Sequence, residues 1–282
     1  MHAAYDHCRR LHRRHDPTYY WATRRLPPDV RLGVHALYAF VREADEIVDG
    51  PGRSPDPAVR RAELDRYEER LKEALAGERA RDPAVAALVD AGRRHALPLE
   101  GLGSYFDSMR IDCDPVRMGT WEDLESYMQG SAGAVGRILA VLLGAPAERH
   151  ESFERLALAF QLTNFIRDVR EDWELDRVYL PAEDLERYGV SLEQIARRDP
   201  TAGFRRLLEV EVGRARQLFR EGAAAGEVVA PRVRRGMSMA RSVYLGVLDR
   251  TERLDFDVLS RRASLPPWEL AGAVAQGLRA GA

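Results

Sequence analysis

Hydrophobic residues recur every three or four positions along most of the chain, with polar residues between them. This spacing is typical of amphipathic α-helices, whereas the alternation expected of half-buried strands is scarce. Between Asp65 and Leu75, for example, Tyr67 and Leu71 share one face, and charged side chains occupy the positions around them. The pattern therefore predicts an all-α protein.

Proline, glycine and capping residues divide the pattern into about ten helices. Leu26-Pro27-Pro28 breaks one helix, Asp29 caps the next, and Gly50-Pro51-Gly52 ends it. The predicted helices cover residues 7–14, 18–25, 29–48, 65–75, 84–95, 100–113, 122–143, 151–171, parts of 182–196, 204–223, 229–252 and 268–278. No repeat of fixed period and no low-complexity linker separates them, so we expect residues 1–282 to form a single domain.

The composition is that of an ordinary globular chain, with 45% hydrophobic and 31% charged residues. The 43 basic and 45 acidic side chains leave a formal net charge of -2, which argues against nucleic acid as a partner. Cys8 and Cys113 are too few and too scattered for a disulfide framework or a zinc site, and they fit a reducing cytoplasm.

Neither a secretory signal nor a membrane span is predicted. The N-terminal residues lack a basic start followed by an apolar core, and no run approaches the ~18 apolar residues that a transmembrane helix needs. We therefore expect a cytoplasmic protein.

Two of the predicted helices carry carboxylates at helical spacing. Asp45 and Asp49 are four residues apart, and Asp168 and Asp172 repeat this spacing with Asn164 one turn before them. Residues four apart lie on one helix face, so each pair of carboxylates repels unless a cation lies beside it. Mg²⁺ prefers oxygen ligands and accepts phosphate oxygens to complete its shell. A site for Mg²⁺ and a diphosphate is therefore the first hypothesis.

The first acidic helix also has a simpler interpretation. Tyr38, Arg42, Glu46 and Asp49 continue the polar stripe, and this face could be a solvated surface. An Arg42–Glu46 pair would then stabilise the helix by only a few tenths of a kcal/mol. The second acidic helix is what favours the metal site.

A third helix contains Gly130, Gly133 and Gly136, with Tyr127 one turn before the first of them. Each glycine costs roughly 0.8–1 kcal/mol relative to alanine inside a helix. Such residues indicate close approach by another helix or by a ligand, and both interpretations stay open.

Together these motifs resemble the squalene/phytoene synthase family, which joins two prenyl diphosphates head to head. The resemblance extends from His15 to about Pro267. The matching stretches are Leu37-Tyr38-Ala39-Phe40-Val41-Arg42 before Asp45-x-x-x-Asp49, Tyr127-x-x-Gly130-Ser131-Ala132-Gly133-x-Val135-Gly136, and Gln161-x-x-Asn164-x-x-Arg167-Asp168-x-x-Glu171-Asp172 before Arg177-Val178-Tyr179-Leu180-Pro181. The resemblance implies an isoprenoid synthase helical bundle with a central cavity, whose mouth carries both acidic motifs.

The resemblance also implies a role for each matching residue. The expected ligands of two or three Mg²⁺ ions, bound with diphosphate, are Asp45, Glu46, Asp49, Asn164, Asp168, Glu171 and Asp172. The expected substrate contacts, with the diphosphate or in the cavity, are Tyr19, Arg42, Gln161, Asn164, Arg167, Arg177, Tyr179, Tyr244 and Arg261. The expected catalytic residues are the four aspartates Asp45, Asp49, Asp168 and Asp172 with Tyr38, Arg42 and Tyr127.

Two residues and one short stretch depart from the family pattern. Glu46 stands where many members have aspartate, but a longer carboxylate can still reach a metal or an arginine. The stretch before Tyr19 is a looser match. Arg137 follows the glycine helix, and we expect it to face away from the cavity or toward an acidic neighbour, because a buried unpaired charge costs several kcal/mol.

The expected reaction, by this resemblance, is condensation of two geranylgeranyl diphosphates through prephytoene diphosphate to phytoene, in carotenoid biosynthesis. No G-x-G-x-x-G follows a predicted strand, which argues against a Rossmann site for NADPH and mildly favours a product formed by proton loss. The particular residues of the acidic and glycine motifs also favour a phytoene synthase. So does Thr23, a small residue where a larger aromatic could shorten the tunnel.

Other functions stay open. A C30 synthase would make presqualene diphosphate, squalene or dehydrosqualene from farnesyl diphosphate. A terpene cyclase relative would ionise a single prenyl diphosphate, and a catalytically dead scaffold would keep only the fold. For each of the possible enzymes, the binding partners are prenyl diphosphate substrates. An apolar product must be hidden in a tunnel, and its release allows transient peripheral contact with a membrane. The sequence does not determine the oligomeric state.

Overall fold

A computed structural model describes residues 1–16, 20, 23–24 and 26–281, and most of this structure is helical. The α-helices are α1 (His2–His15), α2 (Pro28–Asp49), α3 (Pro57–Leu75), α4 (Pro83–His95), α5 (Leu102–Ile111), α6 (Trp121–Met128), α7 (Ala134–Leu142), α8 (His150–Arg167), α9 (Val169–Glu174), α10 (Ala182–Arg187), α11 (Leu192–Ala196), α12 (Ala202–Glu221), α13 (Pro231–Arg253) and α14 (Pro267–Ala280). Within the described ranges, the only strands are β1 (Val116–Arg117) and β2 (Arg177–Val178), which pair in parallel. The predicted all-α class is confirmed.

Helix α3 begins at Pro57, well before the predicted start at Asp65. The cause is local, because the side chain of Asp56 accepts a hydrogen bond from the Ala58 N–H at 2.8 Å and proline suits the first helical position. The helix predicted over residues 18–25 falls mostly outside the described residues.

The helix predicted over residues 122–143 consists of three consecutive elements without a break. They are α6, a π-helical turn at Gln129–Gly133, and α7. Its start is capped by Thr120, whose hydroxyl accepts a hydrogen bond from the Asp123 N–H. A Cβ on Gly136 would lie 2.9 Å from both the Ala157 Cβ and the Phe153 carbonyl oxygen on α8. Close helix packing therefore explains this glycine.

The helix predicted over residues 151–171 is interrupted at Asp168, where α8 ends and α9 begins. Asp168 leaves the ideal helical conformation with φ -104° and ψ 17°. The helical hydrogen bonds nevertheless continue, from the Asp168 N–H to the Asn164 oxygen and from the Asp172 N–H to the Asp168 oxygen, both at 2.8 Å. The three residues therefore keep the stacked arrangement that their spacing predicts.

Among the residues that the structure describes, two hydrophobic clusters form the core, and each one anchors an acidic motif. In the first, Phe40 and Val48 of α2 are buried with Tyr67 of α3. In the second, Ile166 of α8 is buried with Phe219 of α12. Burial of these apolar faces turns the acidic faces of α2 and α8 away from the core, toward the site. None of the described helices combines the length and the apolar composition needed to cross a bilayer.

Candidate active site

The two acidic motifs meet at one polar pocket. The C-terminal half of α2 supplies Asp45 and Asp49, and the junction of α8 with α9 supplies Asp168 and Asp172. The predicted site residues on the wall of this pocket are Arg42, Asp45, Asp49, Tyr127, Gln161, Asn164, Asp168, Asp172, Arg177 and Tyr179. The two helices thus present their carboxylates to the same space.

Other predicted site residues surround this wall. Those that the structure describes outside it are Tyr38, Glu46, Arg167, Glu171, Tyr244 and Arg261. Tyr38 stacks on the ring of His12 with centroids 4.0 Å apart, and Tyr244 lies 4.5 Å from the ring of Phe160. Tyr19 lies outside the described residues.

Several of the acidic residues are already paired with arginines. Arg42 donates a hydrogen bond to Glu46, one turn along α2. The Nε of Arg167 donates to Asp168 Oδ1 at 2.8 Å. These arginines can therefore reach anionic groups at the edge of the pocket, which is what binding of a diphosphate requires.

Arg262 approaches the second acidic motif where the family pattern points to its neighbour Arg261. The Nη2 of Arg262 lies 3.6 Å from Asp168 Oδ1, and its Nε lies 3.7 Å from Glu171 Oε1. Arg261 is exposed. Sequence reasoning missed Arg262, because two adjacent arginines in a loop differ only in where the fold directs them.

Arg177 connects the first acidic motif to the opposite wall. Its strand β2 is held beside β1 by a hydrogen bond from the Val116 N–H to the Asp176 oxygen at 3.1 Å. From there Nη1 and Nη2 of Arg177 donate to the two carboxylate oxygens of Asp49 at 3.0 and 2.5 Å. The side chain is almost fully buried, so this two-pronged ion pair is rigidly placed.

Asp112 is a pocket residue that the sequence did not reveal. It is buried at the end of α5, where Oδ2 accepts the Tyr127 hydroxyl at 2.5 Å and Oδ1 accepts the Tyr179 hydroxyl at 2.7 Å. Burial raises the pKa of Asp112 to about 6, while Arg177 and the two hydroxyls oppose that rise. A single aspartate at a helix end carries no local signal, because its partners lie 15 and 67 positions away.

The pocket carries more negative charge than its arginines neutralise. Burial raises the pKa of Asp45 to about 7, and the neighbouring Asp49 adds to the rise. Burial likewise raises the pKa of Asp172 to about 8, and both Asp168 and Asp49 add to it. The last contribution comes from the other acidic motif, so the two motifs repel each other across the pocket.

These donors fit a divalent cation that binds together with a phosphate ligand. Among the described residues, no three His, Cys, Asp or Glu side chains converge closely enough to hold an ion by themselves. Mg²⁺ typically takes one or two carboxylates and completes its shell with water and substrate phosphate. The oxygen donors suit that mode of binding, as do the raised pKa values of Asp45 and Asp172, because a nearby cation would offset the burial and the repulsion that raise them.

An apolar cavity lies next to the polar pocket along the same helix. Phe153, Leu156, Ala157 and Phe160 of α8 line the apolar cavity, whereas residues from Gln161 onward line the polar pocket. Thr23 is buried and lies on the wall of the apolar cavity, as the family pattern implies for a residue near the tunnel. Helix α8 therefore changes from an apolar to a polar lining within one turn.

Arg137 contributes to neither the metal-ligand side of the pocket nor the apolar cavity. Its Nε and Nη2 donate to the two carboxylate oxygens of Glu154 at 2.7 and 3.0 Å. The expectation of an acidic neighbour is confirmed.

Comparison with known proteins gives the family. The family model described as squalene/phytoene synthase matches residues 12–269. A phytoene synthase of Thermus thermophilus is 36% identical over 263 residues, covering 93% of this chain and 88% of that protein. The crystal structure of a squalene synthase from Alicyclobacillus acidocaldarius is 34% identical, with a TM-score of 0.82 over 90% of this chain and 95% of that chain. A dehydrosqualene synthase shares the fold at 24% identity, with a TM-score of 0.88 over 99% of this chain and 96% of that chain. The chain therefore belongs to the squalene/phytoene synthase family and is a prenyltransferase.

Proposed function

We propose that the protein condenses two geranylgeranyl diphosphates head to head, through prephytoene diphosphate, to phytoene. The observation that carries the proposal is the junction on α8 between an apolar cavity and a pocket with two aspartate pairs. A prenyl diphosphate has the same two parts, a long apolar tail and a strongly anionic head. The relative named phytoene synthase supports the carotenoid product.

The first task of the site is to hold the diphosphate. We assign two or three Mg²⁺ ions to Asp45, Asp49, Asp168 and Asp172, with Glu46, Asn164 and Glu171 assisting. Bound Mg²⁺ would neutralise the diphosphate and make it a better leaving group. Arg42, Arg167 and Arg177 bind the phosphate oxygens that remain, and each already holds a carboxylate at the site.

The second task is to protect an allylic cation from water. Tyr127, Phe165 and Tyr179 form an aromatic wall on the pocket, with the Phe165 and Tyr179 rings stacked 3.9 Å apart. Aromatic faces stabilise a nearby cation without supplying a nucleophile. Asp112 accepts both tyrosine hydroxyls and so holds the two rings in place on this wall.

The reaction then follows from the substrates. Loss of the first diphosphate gives the cation, the double bond of the second substrate attacks it, and loss of a first proton closes a cyclopropane. Loss of the second diphosphate, ring opening and release of a proton give phytoene. Because a proton is lost and no hydride is added, the proposed reaction consumes no NADPH.

A C30 synthase is the second candidate. The relative named squalene synthase, at 34% identity, favours it. A C30 synthase would use the same pocket, and it would differ in the length of tail that its apolar cavity accepts.

Product analysis tests both candidates. The purified protein is incubated with Mg²⁺ and either the C15 or the C20 diphosphate, with and without NADPH, and the hydrocarbons are identified. We expect a C40 hydrocarbon from the C20 substrate without NADPH. A C30 product from the C15 substrate, with the C20 substrate ignored, would overturn the proposal. A cyclic product from one substrate would indicate a cyclase, and failure to release any diphosphate would indicate a scaffold.

A further inference from the structure

The apolar cavity shares a wall with a surface groove on the outside of the protein. The groove runs between the start of α2 with the two residues before it, Leu26-Pro27-Pro28, and the first turn of α13, from Pro231 to Arg235. Leu26, Arg232 and Val233 line both the cavity and the groove. A single layer of side chains therefore separates the proposed tunnel from the surface here. We call this surface, formed by residues 26–28 and 231–235, the basic rim.

The basic rim is positively charged. Arg232 and Arg235 are exposed and lie three positions apart, so they occupy neighbouring positions on α13. Within the described part of the chain, neither forms an ion pair or a side-chain hydrogen bond, and no carboxylate is among the described residues that line the groove. By contrast, Arg216 on the neighbouring α12 pairs with Asp249 at 2.7 Å and with Glu252 at 2.9 Å.

Three prolines supply the exposed apolar part of the basic rim. Pro27, Pro28 and Pro231 are exposed, and Leu26 is half-buried between the groove and the cavity. A surface that combines unpaired arginines with exposed apolar residues suits the interface of a bilayer, where phosphates meet acyl chains. The positive end of the α13 dipole adds to this field.

We propose that the basic rim docks the protein onto an anionic phospholipid bilayer, and that the product leaves the apolar cavity through this wall. The release step rests on the proposed function, because only a very apolar product needs a bilayer to receive it. Charge complementarity selects the lipid, since the arginines face phosphate and no carboxylate opposes them. The contact is peripheral.

Vesicle co-sedimentation tests the docking without any substrate. The full chain is mixed with vesicles of phosphatidylcholine alone or of phosphatidylcholine with phosphatidylglycerol, at low and at high salt. We compare Arg232→Gln/Arg235→Gln with Arg187→Gln/Arg197→Gln, a control that removes the same charge from exposed side chains on α10 and beside α11. Thermal melting verifies that both variants fold.

We expect the wild type and the control to bind the anionic vesicles and to be released by salt. The rim variant should bind about 25-fold more weakly, because each surface arginine contributes about fivefold to binding of an anionic membrane. Equal binding of the rim and control variants would overturn the proposal, as would failure of the wild type to bind. A mass in solution that drops from dimer to monomer only in the rim variant would assign the surface to a second copy and overturn it too. Hydrocarbon analysis tests the proposed function separately.

Discussion

Asp112 lies between two tyrosine hydroxyls on the wall of the polar pocket, and its own backbone oxygen accepts from Arg177 at 2.5 Å. It therefore connects the aromatic wall to the arginine that holds the first acidic motif. At the scale of single residues, the site depends on hydrogen bonds that position its side chains as much as on the aspartates that the spacing reveals.

We expect Asp112→Asn to lower turnover at least tenfold, because a hydrogen bond to a charged group contributes about 1.5–3 kcal/mol. The amide keeps the shape but can no longer accept both hydroxyls as a carboxylate does. Steady-state release of diphosphate measures the change. Asp114→Asn is the matched control, since Asp114 lies two residues away and pairs with Arg61 outside the pocket. Equal turnover of the two variants would contradict this role.

Thr23 is expected to influence the length of the accepted tail. Thr23→Phe places a ring in the apolar cavity, so we expect turnover of the C20 substrate to fall at least tenfold relative to that of the C15 substrate. Thr23→Val is the control, because it removes the hydroxyl that donates to the Tyr20 oxygen but keeps the size. The measurement is the ratio of the C20 rate to the C15 rate, with both substrates in competition. An unchanged ratio in Thr23→Phe would argue against a role of Thr23 in selecting tail length.

At the scale of elements, α8 is the helix on which the site is built. It contacts α7 at Gly136 and lines both cavities. The glycine allows the two backbones to approach, and this approach positions α8 with its change from apolar to polar lining.

Gly136→Ala is therefore expected to destabilise the protein by about 1–3 kcal/mol through overpacking against Ala157 and Phe153. Gly213→Ala on α12 is the control, because nothing lies within 4 Å of the added Cβ. That change should stabilise the protein by roughly 0.8–1 kcal/mol, as alanine replaces glycine inside a helix. Urea unfolding measures both, and a stabilised Gly136→Ala would show that close packing is not the reason for the glycine.

At the scale of the whole molecule, packing of the two core clusters brings together acidic motifs that are more than a hundred residues apart. Each motif raises the electrostatic cost of the other, as the effect of Asp49 on the pKa of Asp172 shows. The fold thus accepts a local loss of stability in order to build an anionic pocket.

This loss makes stability depend on pH. In the folded protein the pKa of Asp172 is about 8, above the 3.8 of an ordinary aspartate, so the folded state holds the proton more tightly across that interval. Stability therefore falls as pH rises from about 4 to about 8. We expect Asp172→Asn to raise the melting temperature of the metal-free protein at pH 8.5 and to change it little at pH 4.

The same variant tests the metal site. Mg²⁺ with inorganic diphosphate should raise the melting temperature of the wild type at pH 8.5, since a ligand that binds only the folded state stabilises it. We expect Asp172→Asn to lose this stabilisation together with turnover. Glu174→Gln is a control on the same short helix. Equal stabilisation of wild type and Asp172→Asn would argue against Asp172 as a ligand.

The sequence by itself determined the helical class, most helix positions and the acidic faces, because these depend on spacing within a few turns. Spacing alone placed Asp45 with Asp49 on one helix face, and Asp168 with Asp172 on another. The family resemblance then predicted the arginines and tyrosines that accompany them. Two helix boundaries were predicted wrongly from the sequence. Helix α3 starts early because Asp56 caps it, and α8 ends at Asp168 because that residue leaves helical geometry.

Only the tertiary structure decided which side chains converge from distant positions. It placed Asp112 between Tyr127 and Tyr179, directed Arg262 to the second acidic motif, and brought residues 26–28 beside residues 231–235. No local pattern encodes these contacts, because each is set by how helices pack across the core and not by spacing along one of them.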